Sequence, residues 1–243
     1  MPPQPLSGVL FATTMAAYFP TIAARPYMCR AVRGFYYLLL TDNCFMRPPT
    51  DTLSRPLRVA IFASGTGTNA ESIMRHFDES ARVQIALVVC NKTGAPVVGI
   101  AERFGIPVVT IQRNNWDDPE YLLELLAAAE IDFIVLAGFL WQVPPALVAA
   151  YPNRITNIHP ALLPRHGGKG MYGMHVHASV VANADTETGA TIHYVNEHYD
   201  EGTIIAQERC PVFPNDTPDT VAARVRAIEL QLYPATLARL FEV

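Results

Sequence analysis

From residue 57 onward the apolar positions fall into two alternating patterns. LRVAIFA (57–63), VQIALVVC (83–90), PVVTI (107–111), FIVLA (133–137) and RITNI (154–158) are short, rich in β-branched residues and bounded by turn formers. This is the pattern of strands buried on both faces. Between them, 69–77, 97–104, 119–129 and 144–150 carry apolar residues at helical spacing, and the last three begin at or just after a proline. Proline suits a first helical turn, where an N–H has no partner in any case. Strand and helix alternating in this way imply right-handed crossovers and a parallel sheet. After His159 come a long loop, a short helix near 176–183, two strands around 190–195 and 203–212, and a final helix over 217–241 opened by a cap at Asp216 or Thr217. The expected fold class is α/β: a Rossmann-like, open, mostly parallel twisted sheet with helices on both faces.

The first 56 residues break this pattern. They hold eight prolines and five arginines but no lysine and two acids, a net charge of +3, whereas residues 57–243 carry 13 basic against 20 acidic residues. Residues 1–24 are uncharged and moderately apolar, yet they lack a basic leader, and Pro3, Pro5 and Pro20 interrupt any helix. An acid-poor, Arg-containing leader also fits an organelle transit peptide. The preferred expectation is a disordered extension, or a stretch translated from too early a start, with Met46 as the more natural one. Residues 57–243 are then the catalytic domain.

The 243-residue chain has a net charge of −4, which removes the basic surplus expected of a general nucleic-acid binder. Cys29, Cys44, Cys90 and Cys210 are scattered without a C-x-x-C pair, so neither a disulfide framework nor a cysteine zinc site is indicated, and a cytoplasmic location is the default. Cys90 and Cys210 lie in apolar strand patterns and read as packing groups.

The first strand runs into Ala63-Ser64-Gly65-Thr66-Gly67-Thr68-Asn69. Its glycines let the backbone turn sharply and present N–H groups at a helix N-terminus, a geometry that binds anions. A Walker loop needs a lysine that is absent here. Gly65, Gly67 and Ala70 formally meet the dinucleotide pattern, but the second strand ends Cys90-Asn91-Lys92, without an acid for the ribose. The loop better suits one phosphate, held by the N–H groups of Gly67, Thr68 and Asn69 and by the Thr68 hydroxyl. A tight β–α turn without a ligand fits the same residues.

Six of the 7 histidines lie between 159 and 198, and the fifth strand ends Asn157-Ile158-His159-Pro160. Residues two apart at the carboxyl end of a parallel strand face the ligand crevice together. Asp200, in the connection between the last two strands, is placed to reach back to His159. An amide donates to a developing oxyanion, a histidine does so as imidazolium or moves a proton, and an aspartate orients the histidine. The alternatives are a satisfied polar residue at a strand end and a turn-capping Asp200. His175, His177 and His159 as metal ligands form a weaker reading, because a further well-spaced ligand is missing. No G-x-S-x-G elbow is present, so a serine hydrolase is excluded.

Four separated motifs, FASGTGTN (62–69), VLAGF (135–139), NIHPALLP (157–164) and HYDEG (198–202), occur in the order and approximate spacing of the phosphoribosylglycinamide formyltransferase family. The chain resembles that family over 57–243. The resemblance implies formyl transfer from 10-formyltetrahydrofolate, as co-substrate and with no metal, to the amine of 5-phosphoribosylglycinamide in de novo purine synthesis. It implies Asn157, His159 and Asp200 as catalytic residues, with His159 protonated. It also implies Gly67, Thr68 and Asn69 at the substrate phosphate and Glu229 at the glycinamide, with Leu140, Trp141, Gln142, Val143 and Asn157 at the folate. Its partners would be these small molecules, with no nucleic acid or membrane, and a monomer or homodimer.

Relatives often carry a basic residue where Trp141 stands, so contacts to the folate tail are expected to differ. The segment 167–174 is longer than in many relatives, and its four glycines read as a mobile lid with Lys169 reaching an anionic ligand, or as a surface loop. The 10-formyltetrahydrofolate hydrolases share the trio but usually carry a folded domain in front. The methionyl-tRNA formyltransferases usually carry a domain behind and a basic surface. A non-catalytic phosphosugar-binding module is the rival from another class, and it leaves the trio unexplained.

Overall fold

The computed structural model describes residues 55–242, and the expectation for the N-terminal extension, residues 1–56, lies outside the described residues except at its last two positions. Pro56–Val243 forms one compact unit. Its strands are β1 (Leu57–Ala63), β2 (Val83–Cys90), β3 (Val108–Thr110), β4 (Phe133–Leu136), β5 (Ile155–His159), β6 (Glu187–Tyr194) and β7 (Ile204–Pro211). They form one seven-stranded sheet in the order β3-β2-β1-β4-β5-β6-β7. The first five are parallel, while β6 runs antiparallel to β5, and β7 to β6.

The helices are α1 (Thr68–Phe77), α2 (Pro96–Arg103), α3 (Arg113–Trp116), α4 (Pro119–Ala128), α5 (Pro145–Ala150), α6 (Met174–Ala182) and α7 (Pro218–Leu240). Prolines open α2, α4 and α5 as the sequence predicts, and α7 begins with one as well. Of the two candidate caps for α7 the structure uses Thr217, whose hydroxyl accepts the Thr220 N–H at 3.3 Å. Asp216 instead accepts from the Phe213 N–H and pairs with Arg224.

Strand alternation divides the core between two layers. Val59, Ile61 and Ala63 of β1 pack in one cluster with Ile73 and Met74 of α1, Val97 of α2, Val180 of α6 and Val225 of α7. On the other face Phe62 meets Trp116 of α3 edge to face, with ring centroids 6.0 Å apart. Because β1 and β4 are neighbours and the chain leaves them in opposite directions, a crevice opens at their carboxyl ends.

One feature of α7 bears on that crevice. Pro234 lies inside the helix and has no N–H, so the carbonyl of Leu230, four residues earlier, lacks its helical donor. The Ser72 hydroxyl of α1 supplies one at 2.6 Å. Tyr233, fully buried beside it, bonds through its hydroxyl to Thr156 at 3.1 Å and to the Leu136 carbonyl at 3.2 Å. The three hydrogen bonds fasten α7 to α1, β4 and β5, which carry or border the predicted site.

Candidate active site

A cleft of about 310 Å³ occupies the crevice. It is bordered by the turn after β1, the segment after β4, the end of β5 and one face of α7. Every residue singled out from the sequence for catalysis, phosphate, glycinamide or folate lines it.

At one end is the glycine turn. Gly67 caps α1 at φ 77°, in the left-handed region, and a Cβ there would lie 2.8 Å from the Cβ of Val97. Only glycine satisfies both conditions. The first-turn amides of α1 have no helical partner and border the cleft, as an anion site requires. Asn69 donates to Glu229 Oε2 at 3.4 Å, and its own Oδ1 is buried without a partner, an acceptor waiting for a donor. Burial pushes the Glu229 carboxyl up to about 7 despite the Asn69 amide and the charge of Arg226. His177, buried and with no partner for Nδ1, is pushed down to about 4 by burial and by Arg226.

At the other end Asn157 and His159 of β5 face His193 of β6 and Asp200 of the β6–β7 connection. His159 Nδ1 lies 3.4 Å from Asp200 Oδ2, and His193 Nε2 lies 3.6 Å from Asp200 Oδ1. His193 Nδ1 donates to the Tyr194 carbonyl at 2.8 Å, and its Nε2 lies 3.2 Å from the Asn157 amide nitrogen. Asp200 sits at φ 58° and accepts the Gly168 N–H at 2.9 Å. Burial pushes its carboxyl up, but His193 and His159 when protonated, together with that N–H, outweigh burial and hold it below the usual carboxylate range.

The surroundings of His159 disfavour the imidazolium that the resemblance implies. Burial pushes it below its ordinary value, and the charge of Asp200 and the His166 carbonyl only partly oppose this. Its Nε2 donates to that carbonyl at 2.8 Å. A carbonyl only accepts, so the proton of the neutral ring is on Nε2 and Nδ1 is bare toward Asp200.

Leu140, Trp141, Gln142 and Val143 form the side of the cleft after Gly138. The Leu140 N–H bonds to Ser64 Oγ at 3.1 Å, tying this segment to the end of β1. Gln142 is gripped twice: its carbonyl accepts from Trp116 Nε1 at 2.9 Å, and its amide donates to the Glu197 carbonyl at 2.8 Å. Trp141 stacks under the Arg113 guanidinium, 5.2 Å from the ring centroid. Within the glycine-rich segment, Gly168, Gly170, Met171, Tyr172 and Gly173 border the cleft, but Lys169 is exposed and does not.

Two lining residues, His193 and Arg226, escape sequence reasoning. His193 sits in mid-strand and meets Asn157 only through the antiparallel pairing of β5 and β6. Arg226 reads as an ordinary cation on an amphipathic helix. His175 is exposed while His177 is buried, and among the described residues no group of His, Cys, Asp or Glu side chains is arranged to hold a metal.

A formyl transferase family profile matches residues 57–237. Phosphoribosylglycinamide formyltransferase, chloroplastic, of Vigna unguiculata is 41% identical over 194 residues, 77% of this chain but 62% of that protein's length. The phosphoribosylglycinamide formyltransferase of Bacillus subtilis (strain 168) is 34% identical over 188 residues, 75% of this chain and 94% of its own. Among solved structures, that of phosphoribosylglycinamide formyltransferase from Bacillus halodurans has a TM-score of 0.69 at 40% identity, with 75% of this chain and 94% of that one covered. Matched by the profile across the whole sheet and by nearly the full length of a bacterial relative, the chain belongs to the formyl transferase family.

Proposed function

We propose that this protein transfers the formyl group of 10-formyltetrahydrofolate to the amine of 5-phosphoribosylglycinamide, releasing tetrahydrofolate, in de novo purine synthesis. The observation that carries the reading is that one cleft holds the N-terminal turn of α1 at one end and the Asn157, His193, Asp200 and His159 cluster at the other. That arrangement suits a substrate with a phosphate at one end and a nucleophilic amine at the other. The segment from Leu140 to Val143 gives the flat pterin an apolar wall, and the buried, partnerless Asn69 Oδ1 fits a polar substrate beside the phosphate turn.

The chemistry follows the charge. The N–H groups of Gly67, Thr68 and Asn69, with Arg226, hold the phosphate, and Glu229 orients the glycinamide. As the amine bonds to the formyl carbon, negative charge grows on the formyl oxygen and positive charge on the amine nitrogen. The Asn157 amide, oriented by His193, donates to that oxygen. The amine proton passes by water to the space between Asp200 and the bare Nδ1 of His159, then goes to the departing folate nitrogen as the carbon–nitrogen bond breaks. Net proton count is unchanged.

The catalytic unit is residues 57–243, with the preceding residues outside it. The reaction is placed in the cytoplasm, a reading supported by two unpaired buried cysteines, Cys90 and Cys210. No described helix is long and apolar enough to cross a membrane.

The test is incubation with 10-formyltetrahydrofolate, with and without phosphoribosylglycinamide. Tetrahydrofolate is expected only when the amine is present. Release without it makes the protein a hydrolase, and no release in either case makes it a binding module. Asn157→Ala and His159→Ala should each lower kcat by roughly 10²–10³, the scale of one lost oxyanion donor or proton carrier. Unchanged turnover in either variant removes that residue from the mechanism.

A further inference from the structure

His166 does not line the cleft, yet its main-chain oxygen fixes the proton of His159. The residue sits at φ 57°, a left-handed conformation that costs a side-chain-bearing residue strain. Its imidazole is held at both nitrogens: Nδ1 lies 2.9 Å from Ser179 Oγ of α6, and Nε2 lies 2.6 Å from Asp185 Oδ2 just past that helix. The side chain is 7% exposed. Asp185 also faces Arg165 at 3.6 Å, and Arg165 reaches Glu187, the first residue of β6, at 3.8 Å. The ring is therefore anchored to α6 and to the connection that leads into β6, while it stays out of the cleft itself.

We infer that His166 and Asp185 are a positioning pair for His159. The clamp on the His166 ring holds its backbone left-handed, which aims the carbonyl oxygen at His159 Nε2 and keeps Nδ1 bare toward Asp200. This rests on the proposed function, in which Nδ1 must be free to receive a proton. Released from the clamp, the segment after Pro164 loses the carbonyl's aim. The imidazole then takes the competing arrangement, with Nδ1–H donated to the Asp200 carboxylate, and the acceptor is gone.

The full chain is tested as wild type, Asp185→Ala, His166→Ala and His166→Gly. The readouts are kcat, KM for both substrates, thermal melting, and the His159 tautomer from long-range ¹H–¹⁵N spectra. Wild type should show the proton on Nε2. Asp185→Ala should lower kcat roughly 10- to 100-fold, the scale of a misplaced reacting group, with both KM values within about twofold. Its His159 signals should move toward the Nδ1–H form. His166→Gly should keep more activity than His166→Ala, because glycine accepts the left-handed backbone without strain. Simple packing by the imidazole predicts the reverse order, since glycine loosens the unfolded chain.

A His159 that stays Nε2–H with unchanged kcat in Asp185→Ala and His166→Ala overturns the pair. If Asp185→Ala does not fold, the order of the two His166 variants decides. If the wild-type protein itself transfers no formyl group, the proposed function fails, and the tautomer of His159 in the variants still decides this inference.

Discussion

A carboxylate is poorly solvated where Glu229 stands. The partly buried side chain faces one long hydrogen bond from Asn69, and burial lifts its pKa from 4.5 to about 7. The folded protein thus keeps a proton over a range in which the unfolded chain has released it. The stabilisation this gives is complete below about pH 4.5 and is lost as pH rises through about 7. Glu229→Gln keeps the shape and removes the titration, so its stability gain should be small at pH 5 and on the order of 1–3 kcal/mol at pH 8. Urea unfolding at the two pH values measures this, and equal gains at both would contradict the account. Residues such as Asn157 and His159 were legible because the carboxyl end of a parallel strand has one geometric meaning. His193 was not: a histidine inside TIHYV shows only alternation, and its value depends on a partner strand 36 residues earlier in the chain. His166 was hidden more deeply, because what it contributes is a main-chain oxygen, and no side-chain pattern encodes that.

Among the elements, α7 depends most on help from elsewhere. Its internal proline strands the Leu230 carbonyl, and Ser72 answers it from another helix. Ser72→Ala should leave that carbonyl without a donor and cost about 1–3 kcal/mol. In the background of Pro234→Ala, where the restored N–H reaches the same oxygen, the cost of losing Ser72 should shrink. A thermal or urea double-mutant cycle measures the coupling, and purely additive losses would contradict the pairing. Helices opened by proline and strands rich in β-branched residues were readable from the sequence, as β1, β2, α2 and α4 illustrate. The four residues of α3 were missed, being too short for any periodicity. β6 begins at Glu187, earlier than its apolar run suggests, because it pairs with β7 as far as Pro211. Such pairing extends a strand beyond its hydrophobic pattern.

At the scale of the molecule, the sheet order creates the crevice and the chain fills it from four directions. The fold class was readable because alternating strands and helices admit few topologies. The reversal of β6 and β7 was less so, since two adjacent strands without a helix between them say only that they are near one another. Because the family match begins at 57, a chain lacking residues 1–54 should keep kcat within about twofold of the full chain, as expected of a unit that folds on its own. A larger loss in a side-by-side formyl-transfer assay would give the leader a role in catalysis.

The pairing of Asn157 opposite His193, and of His159 opposite Thr191, carries a further consequence. Side chains alternate across a strand, so adding or deleting one residue between Glu187 and Ile192 would turn the His193 imidazole through the sheet and bring a neighbour to the cleft in its place. That stretch should accept no change in length, whereas an added residue in the hairpin tip before Tyr199 leaves the alignment intact.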